Sequence, residues 1–132
     1  MTLVVGDTAA HYFAYDYEPA TGTVGPRRIF GDMSDLPGGP DGATLDADEG
    51  LWCALFGGAA VVRFTNAGLD RTIEVPVTNP TDVTFGGRDL DRLYLVSVAD
   101  PNAVVGALDG ALLVIDGLGT RGRPEPRFAA VR

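Results

Sequence analysis

Apolar and polar positions alternate in short runs along this chain, and glycine or proline interrupts them every few residues. No long stretch keeps the 3.6-residue period of an amphipathic helix. The runs have a period of two and predict β-strands. They fall over residues 2–5, 12–17, 27–30, 43–45, 51–55, 60–65, 71–75, 82–85, 93–97 and 111–115, with one further candidate at 127–130. Turn signals separate them: Glu18-Pro19-Ala20-Thr21-Gly22, Asp46-Ala47-Asp48-Glu49-Gly50, Gly57-Gly58, Asn66-Ala67-Gly68 and the segment 86–91. His11 is placed at the end of a surface loop over 6–11, and a longer loop is expected over 99–109.

The strands recur as a set. Leu51-Trp52-Cys53-Ala54-Leu55 aligns with Leu93-Tyr94-Leu95-Val96-Ser97, and Pro40-Asp41-Gly42-Ala43-Thr44-Leu45 aligns with Pro80-Thr81-Asp82-Val83-Thr84-Phe85. Thr2-Leu3-Val4-Val5 aligns with the first set, upstream. A unit of four strands every roughly 40 to 50 residues is the signature of propeller blades. The chain therefore reads as all-β, a partial β-propeller of about two and a half to three four-stranded blades in one domain over 1–132. The strand over 2–5 has no inner strand before it, whereas its two counterparts do. WD40 blades are disfavoured, since no Gly-His…Trp-Asp pair is present, and a β-sandwich is the structural alternative.

Composition narrows the chemistry. The 132 residues, 45% hydrophobic, suffice for one globular domain with a modest core. No apolar run approaches the ~20 residues that a membrane span requires. Met1 to Gly6 has no basic leader region, which leaves a cytoplasmic location as the expectation. The net charge of −8 argues against nucleic acid and anionic membranes as partners, and Arg121, Arg123 and Arg127 are too few to reverse it. All basic side chains are arginine, so lysine-based covalent catalysis is excluded. The single cysteine, Cys53, sits in an apolar strand and reads as a buried, inert thiol.

The candidate chemistry centres on Leu36-Pro37-Gly38-Gly39-Pro40-Asp41-Gly42. Two prolines fix φ, and the glycines admit conformations that other residues avoid. Asp41 is thereby held in a stiff loop just before a strand, where a carboxylate can act as an oxygen ligand or a base. Asp41-Gly42 also reads simply as a turn. Asp82 holds the neighbouring position in the next repeat. It is read as turn chemistry, with a second oxygen donor as the sharper alternative. Asp46, Asp48 and Glu49 lack the spacing of an EF-hand loop and read as a solvated hairpin turn. Trp52 and Phe64 are expected to pack between blades.

Gly39-Pro40-Asp41-Gly42, then Asp46-x-x-Glu49-Gly50-Leu51-Trp52, then Gly57-Gly58-x-x-Val61-x-Arg63-Phe64 resemble the gluconolactonase/regucalcin (senescence marker protein) family. Upstream, Ala14-Tyr15-Asp16-Tyr17, Thr21-Gly22 and Arg28-Ile29-Phe30 match it as well. Downstream, Phe85-Gly86-Gly87, Asp89-Leu90-Asp91-x-Leu93-Tyr94 and Gly117-Leu118-Gly119-x-x-Gly122 continue the match. The resemblance implies the C-terminal half of a six-bladed propeller. It also implies a divalent cation, calcium or zinc, and hydrolysis of sugar lactones or related esters. Asp41 is then the metal-ligating carboxylate and the general acid/base. The family's other metal ligands, a Glu of the first blade and an Asn of an Asn-Gly segment, have no counterpart here, nor do its substrate-orienting residues. A hydrolase incomplete alone is therefore expected, with a small lactone as its substrate. A homodimer or a complementing N-terminal half would complete it. The alternative is a non-catalytic propeller fragment that serves as an interaction module.

Overall fold

The computed structural model describes residues 1–7, 9–100 and 106–125. Eleven strands run through these residues in three antiparallel sheets. The first sheet holds β1 (Thr2–Asp7), β2 (His11–Glu18), β3 (Thr23–Val24) and β4 (Arg28–Asp32). β1 lies along one edge of β2, from Thr2 opposite Asp16 to Asp7 opposite His11. β3 and β4 share the other edge. The second sheet runs β5 (Gly39–Leu45), β6 (Leu51–Phe56), β7 (Ala60–Thr65) and β8 (Gly68–Glu74), in chain order. The third places β10 (Arg92–Ser97) between β9 (Pro80–Gly86) and β11 (Leu112–Ile115).

The internal repeat is thus a structural one. Residues 51–55 and 93–97 belong to β6 and β10, the second strands of their sheets, while β5 and β9 are the inner strands beside them. β1 takes the place of β6 and β10 in the first sheet. Its edge away from β2 has no strand along it among the described residues. These sheets form part of a β-propeller.

The lack of alternation in β6 has a direct cause. Leu51, Cys53 and Leu55 face the first sheet, in a core with Tyr12, Met33, Ala60, Val62 and Phe64. Trp52 and Ala54 point the other way, into a core with Val61, Val83, Phe85, Leu93 and Leu95. A strand with both faces covered has no polar side. Each fully buried large side chain contributes about 1.5–3 kcal/mol. Trp52 meets Phe85 edge-on, 6.0 Å between centroids at 86°, which joins the second and third sheets. The third sheet covers only one face: Leu93 and Leu95 are buried, but Val96, Leu112 and Val114 are exposed.

Two expectations are revised, and one strand is added. His11 opens β2 rather than lying in a loop. The two-residue β3 was too short for a periodicity to reveal. β5 begins at Gly39, so Asp41 lies within a strand and not in the loop before it. Pro40 is tolerated there because β5 is hydrogen-bonded on one side only, and a residue without an N–H fits an edge strand or a bulge. Pro80 opens β9 in the same way. The candidate strand at 127–130, and Arg127 with it, lie outside the described residues.

Candidate functional site

Asp41 sits on a β-bulge. Pro40 is opposite Leu55 and Ala43 opposite Cys53, so Asp41 and Gly42 together face the single residue Ala54. A bulge of this kind bends the strand and re-aims a side chain. Asp41 is exposed and lines a cleft of about 800 Å³ between β1 and β5. Thr2, Val4 and Gly6 of β1, Tyr12 of β2 and Thr44 of β5 share that lining.

Three neighbours surround the bulge. The Tyr12 hydroxyl donates a hydrogen bond to the main-chain carbonyl of Asp41. The Cys53 thiol lies 3.2 Å from the same hydroxyl and 3.0 Å from the Ala54 carbonyl. Asp82, on β9, packs against Gly42 so closely that a Cβ at position 42 would overlap its Oδ1. Gly42 is therefore required by close approach, not by turn geometry. Burial pushes the Cys53 thiol's pKa up, despite its contacts with the Tyr12 hydroxyl and the Asp41 backbone, so the thiol stays protonated and inert.

Asp82 is exposed, and its Oδ1 accepts the Val83 N–H at 2.8 Å. The turn reading is corrected: Asp82 lies within β9, opposite Val96, and the tertiary fold brings its carboxylate beside the Asp41 bulge. Asp46 is a different case. Its side chain is wholly buried. Oδ1 accepts the N–H groups of Asp48 and Gly50 at 2.9 and 2.8 Å. Oδ2 accepts Trp52 Nε1–H at 2.8 Å and Arg63 Nε–H at 2.7 Å. Burial alone would raise the pKa of this carboxyl. The bonds from Arg63, Trp52 and Gly50 outweigh it and hold the carboxyl below its ordinary value. Arg63 in turn reaches Asp70 at 2.8 Å. Asp46 thus organises the hairpin and the sheet around it, with both oxygens engaged.

Sequence reasoning singled out Asp41 but missed Tyr12 and the second oxygen of Asp46. A tyrosine in an alternating strand reads as core, and its acceptor lies 29 residues away on another sheet. Only the Asp-x-x-x-Gly-x-Trp spacing of Asp46, Gly50 and Trp52 carried a signal for the latter.

The donor chemistry at the bulge suits a hard divalent cation, which takes oxygen ligands. Asp41 would contribute to holding such an ion, and Asp82 lies alongside. Among the described residues no group of three His, Cys, Asp or Glu side chains gathers to hold a metal. No helix among the described residues is long and apolar enough to cross a membrane.

Repeated antiparallel sheets, an inner strand bulged at an exposed aspartate and a cleft beside it define a segment of a propeller with an acidic site on its inner strands. The chain belongs to the SMP-30/gluconolactonase/LRE-like family, whose sequence model matches residues 2–99. It is 36% identical over 124 residues to the pentonolactonase XacC of Haloferax volcanii, covering 87% of this chain and 42% of that protein. It is 32% identical over 128 residues to regucalcin of Gallus gallus, covering 88% of this chain and 41% of the relative. Among solved structures, a regucalcin of Agrobacterium tumefaciens, described as a calcium-binding protein, superposes with a TM-score of 0.86 at 27% identity. That match covers 98% of this chain and 46% of the other. A luciferin-regenerating enzyme superposes with a TM-score of 0.84 at 29% identity, covering 92% and 43%. The chain spans about two-fifths of the length of the curated relatives it matches.

Proposed function

We propose that this chain carries the Asp41 wall of a site that hydrolyses sugar lactones or related esters. The observation that supports this most is the position of Asp41, exposed at a clamped bulge on the wall of the cleft. A pentonolactonase among the relatives points to the substrate class. A bound calcium or zinc ion would supply Lewis acidity at the lactone carbonyl. Asp41 acts as general base, its carboxylate taking a proton from the water that attacks the carbonyl carbon. The ring C–O bond then breaks, and Asp41 returns the proton to the departing alkoxide oxygen, leaving a hydroxy acid. Val4 and Leu51 form an apolar flank of the cleft.

Asp41→Ala tests this reading. Hydrolysis of gluconolactone and pentonolactones is followed by acid release at constant pH with calcium or zinc added. A loss of at least about 100-fold is expected for removal of a general base. Undiminished activity in the variant would place the site elsewhere.

The open edge of β1 favours a second reading alongside the first, that of a fragment which acts in assembly. Unpaired strand edges promote association. A second copy would bring β5 and β9 already paired with β6 and β10, which favours a complementing N-terminal half over a homodimer. Light scattering on a size-exclusion column separates these. A species at twice 13.8 kDa supports the homodimer, and a monomer that gains lactonase activity with an N-terminal half supports complementation.

A further inference from the structure

Tyr12 is 4% exposed, yet it carries a hydroxyl where a phenylalanine would fill the same space. A buried hydroxyl is costly unless it is hydrogen-bonded. This one reaches out of the first sheet and bonds to the Asp41 carbonyl in the second. That carbonyl belongs to the bulge, where Asp41 and Gly42 leave the regular register of β5 against β6. The ring is fixed from the far side as well, since a Cβ at Gly6 would come within 2.8 Å of Tyr12 Cε1. The Cys53 thiol, 3.2 Å from the hydroxyl, orients it.

We infer that Tyr12 is a positioning residue for Asp41: its hydroxyl fixes the Asp41–Gly42 peptide across the sheet boundary and so holds the Asp41 carboxylate at the cleft. The inference rests on the reading of Asp41 given above. A peptide held only within β5 could rotate at the bulge, because the skipped register removes the ladder bonds that would otherwise fix it. A bond from a neighbouring sheet stops that rotation and ties the carboxylate to the β1–β5 cleft.

The test is terbium(III) luminescence titration of the whole chain as wild type, Tyr12→Phe, Asp41→Asn and the double variant, with unfolding midpoints taken in EDTA. Tyr12→Phe is expected to weaken terbium binding about five- to tenfold, the equivalent of one hydrogen bond. Asp41→Asn is expected to remove most of the binding, and Tyr12→Phe to add no further loss on that background. Wild-type affinity in Tyr12→Phe, with binding lost in Asp41→Asn, would overturn the role of Tyr12 and leave Asp41 standing. An equal loss on both backgrounds would show that the hydroxyl supports the fold alone, and overturn the inference too. Undiminished binding in Asp41→Asn, or none in the wild type, would overturn the reading of Asp41 and this inference with it. Should Tyr12→Phe not fold, Cys53→Ala takes its place as a perturbation of the same hydroxyl. A two- to threefold loss is then expected, and unchanged binding overturns the proposal.

Discussion

Replacing Asp46 with Ala removes an acceptor for four donors at once. The Asp48 and Gly50 amides lie at a turn, and water can reach part of that turn. Trp52 Nε1–H and Arg63 Nε–H cannot be rescued so easily, because Trp52 is fully buried and the Arg63 side chain is 11% exposed. Breaking a buried pair by removing one partner costs about 3–5 kcal/mol, mostly from the charge left behind. Arg63 keeps Asp70 as a second partner, which places the expected loss near the lower end, about 3 kcal/mol. For a chain of this size that lowers the unfolding midpoint by roughly 10–15 °C. The assay is thermal unfolding followed by the fluorescence of Trp52, the single tryptophan. Asp48→Ala, at an exposed turn position, serves as the control and should change stability by less than about 0.5 kcal/mol. pH adds an independent check. Asp46 has a folded-state pKa below its unfolded value. Its contribution is therefore complete above about pH 5, and is lost as pH falls through 4 and on through the lower folded pKa. Asp46→Asn should lack that part of the acid transition and already be destabilised at pH 7. A loss under 1 kcal/mol in Asp46→Ala, or an acid limb unchanged in Asp46→Asn, would refute the assignment of this carboxylate as the organising group of the second sheet.

Further tests address the bulge and its surroundings. Gly42→Ala should cost about 1–3 kcal/mol in chemical denaturation, since its Cβ would overlap Asp82 Oδ1 and come within 2.7 Å of Asp82 Cα, and Asp82→Ala, which leaves that Cα in place, should restore only part of the loss. Full restoration in the double variant would mean that the Asp82 carboxylate alone makes the contact. Cys53, fully buried with its pKa raised by burial, should resist a thiol reagent in the native state and react in urea at the rate of unfolding. Immediate reaction without denaturant would contradict the packing of β6. Trp52→Phe should cost about 1–3 kcal/mol through the lost Nε1–H bond to Asp46 and reduced packing on Phe85, as measured by circular dichroism melting.

Sequence alone determined the all-β class, the positions of most strands and the repeat that makes the sheets blades. Those features are local: alternation, turn residues and apolar runs such as 51–55 act within a few positions, and the repeat copies them. Asp41 stood out by its Gly39-Pro40-Asp41-Gly42 motif and the family resemblance that motif carries, not by alternation. The bulge at Asp41 was decided by tertiary structure, because register is a property of two strands, and nothing in Pro40-Asp41-Gly42 states what Leu55 and Cys53 will face. The same holds for Tyr12, whose hydroxyl finds its acceptor on another sheet, and for Asp46, whose buried oxygens are matched by Trp52 and Arg63 only once β6 and β7 are paired. Asp82 could be placed beside Gly42 only by packing β9 against β5. Hydrophobic patterning says which faces are buried, but a hydrogen bond needs a partner at a given distance and angle, and only the folded chain supplies both.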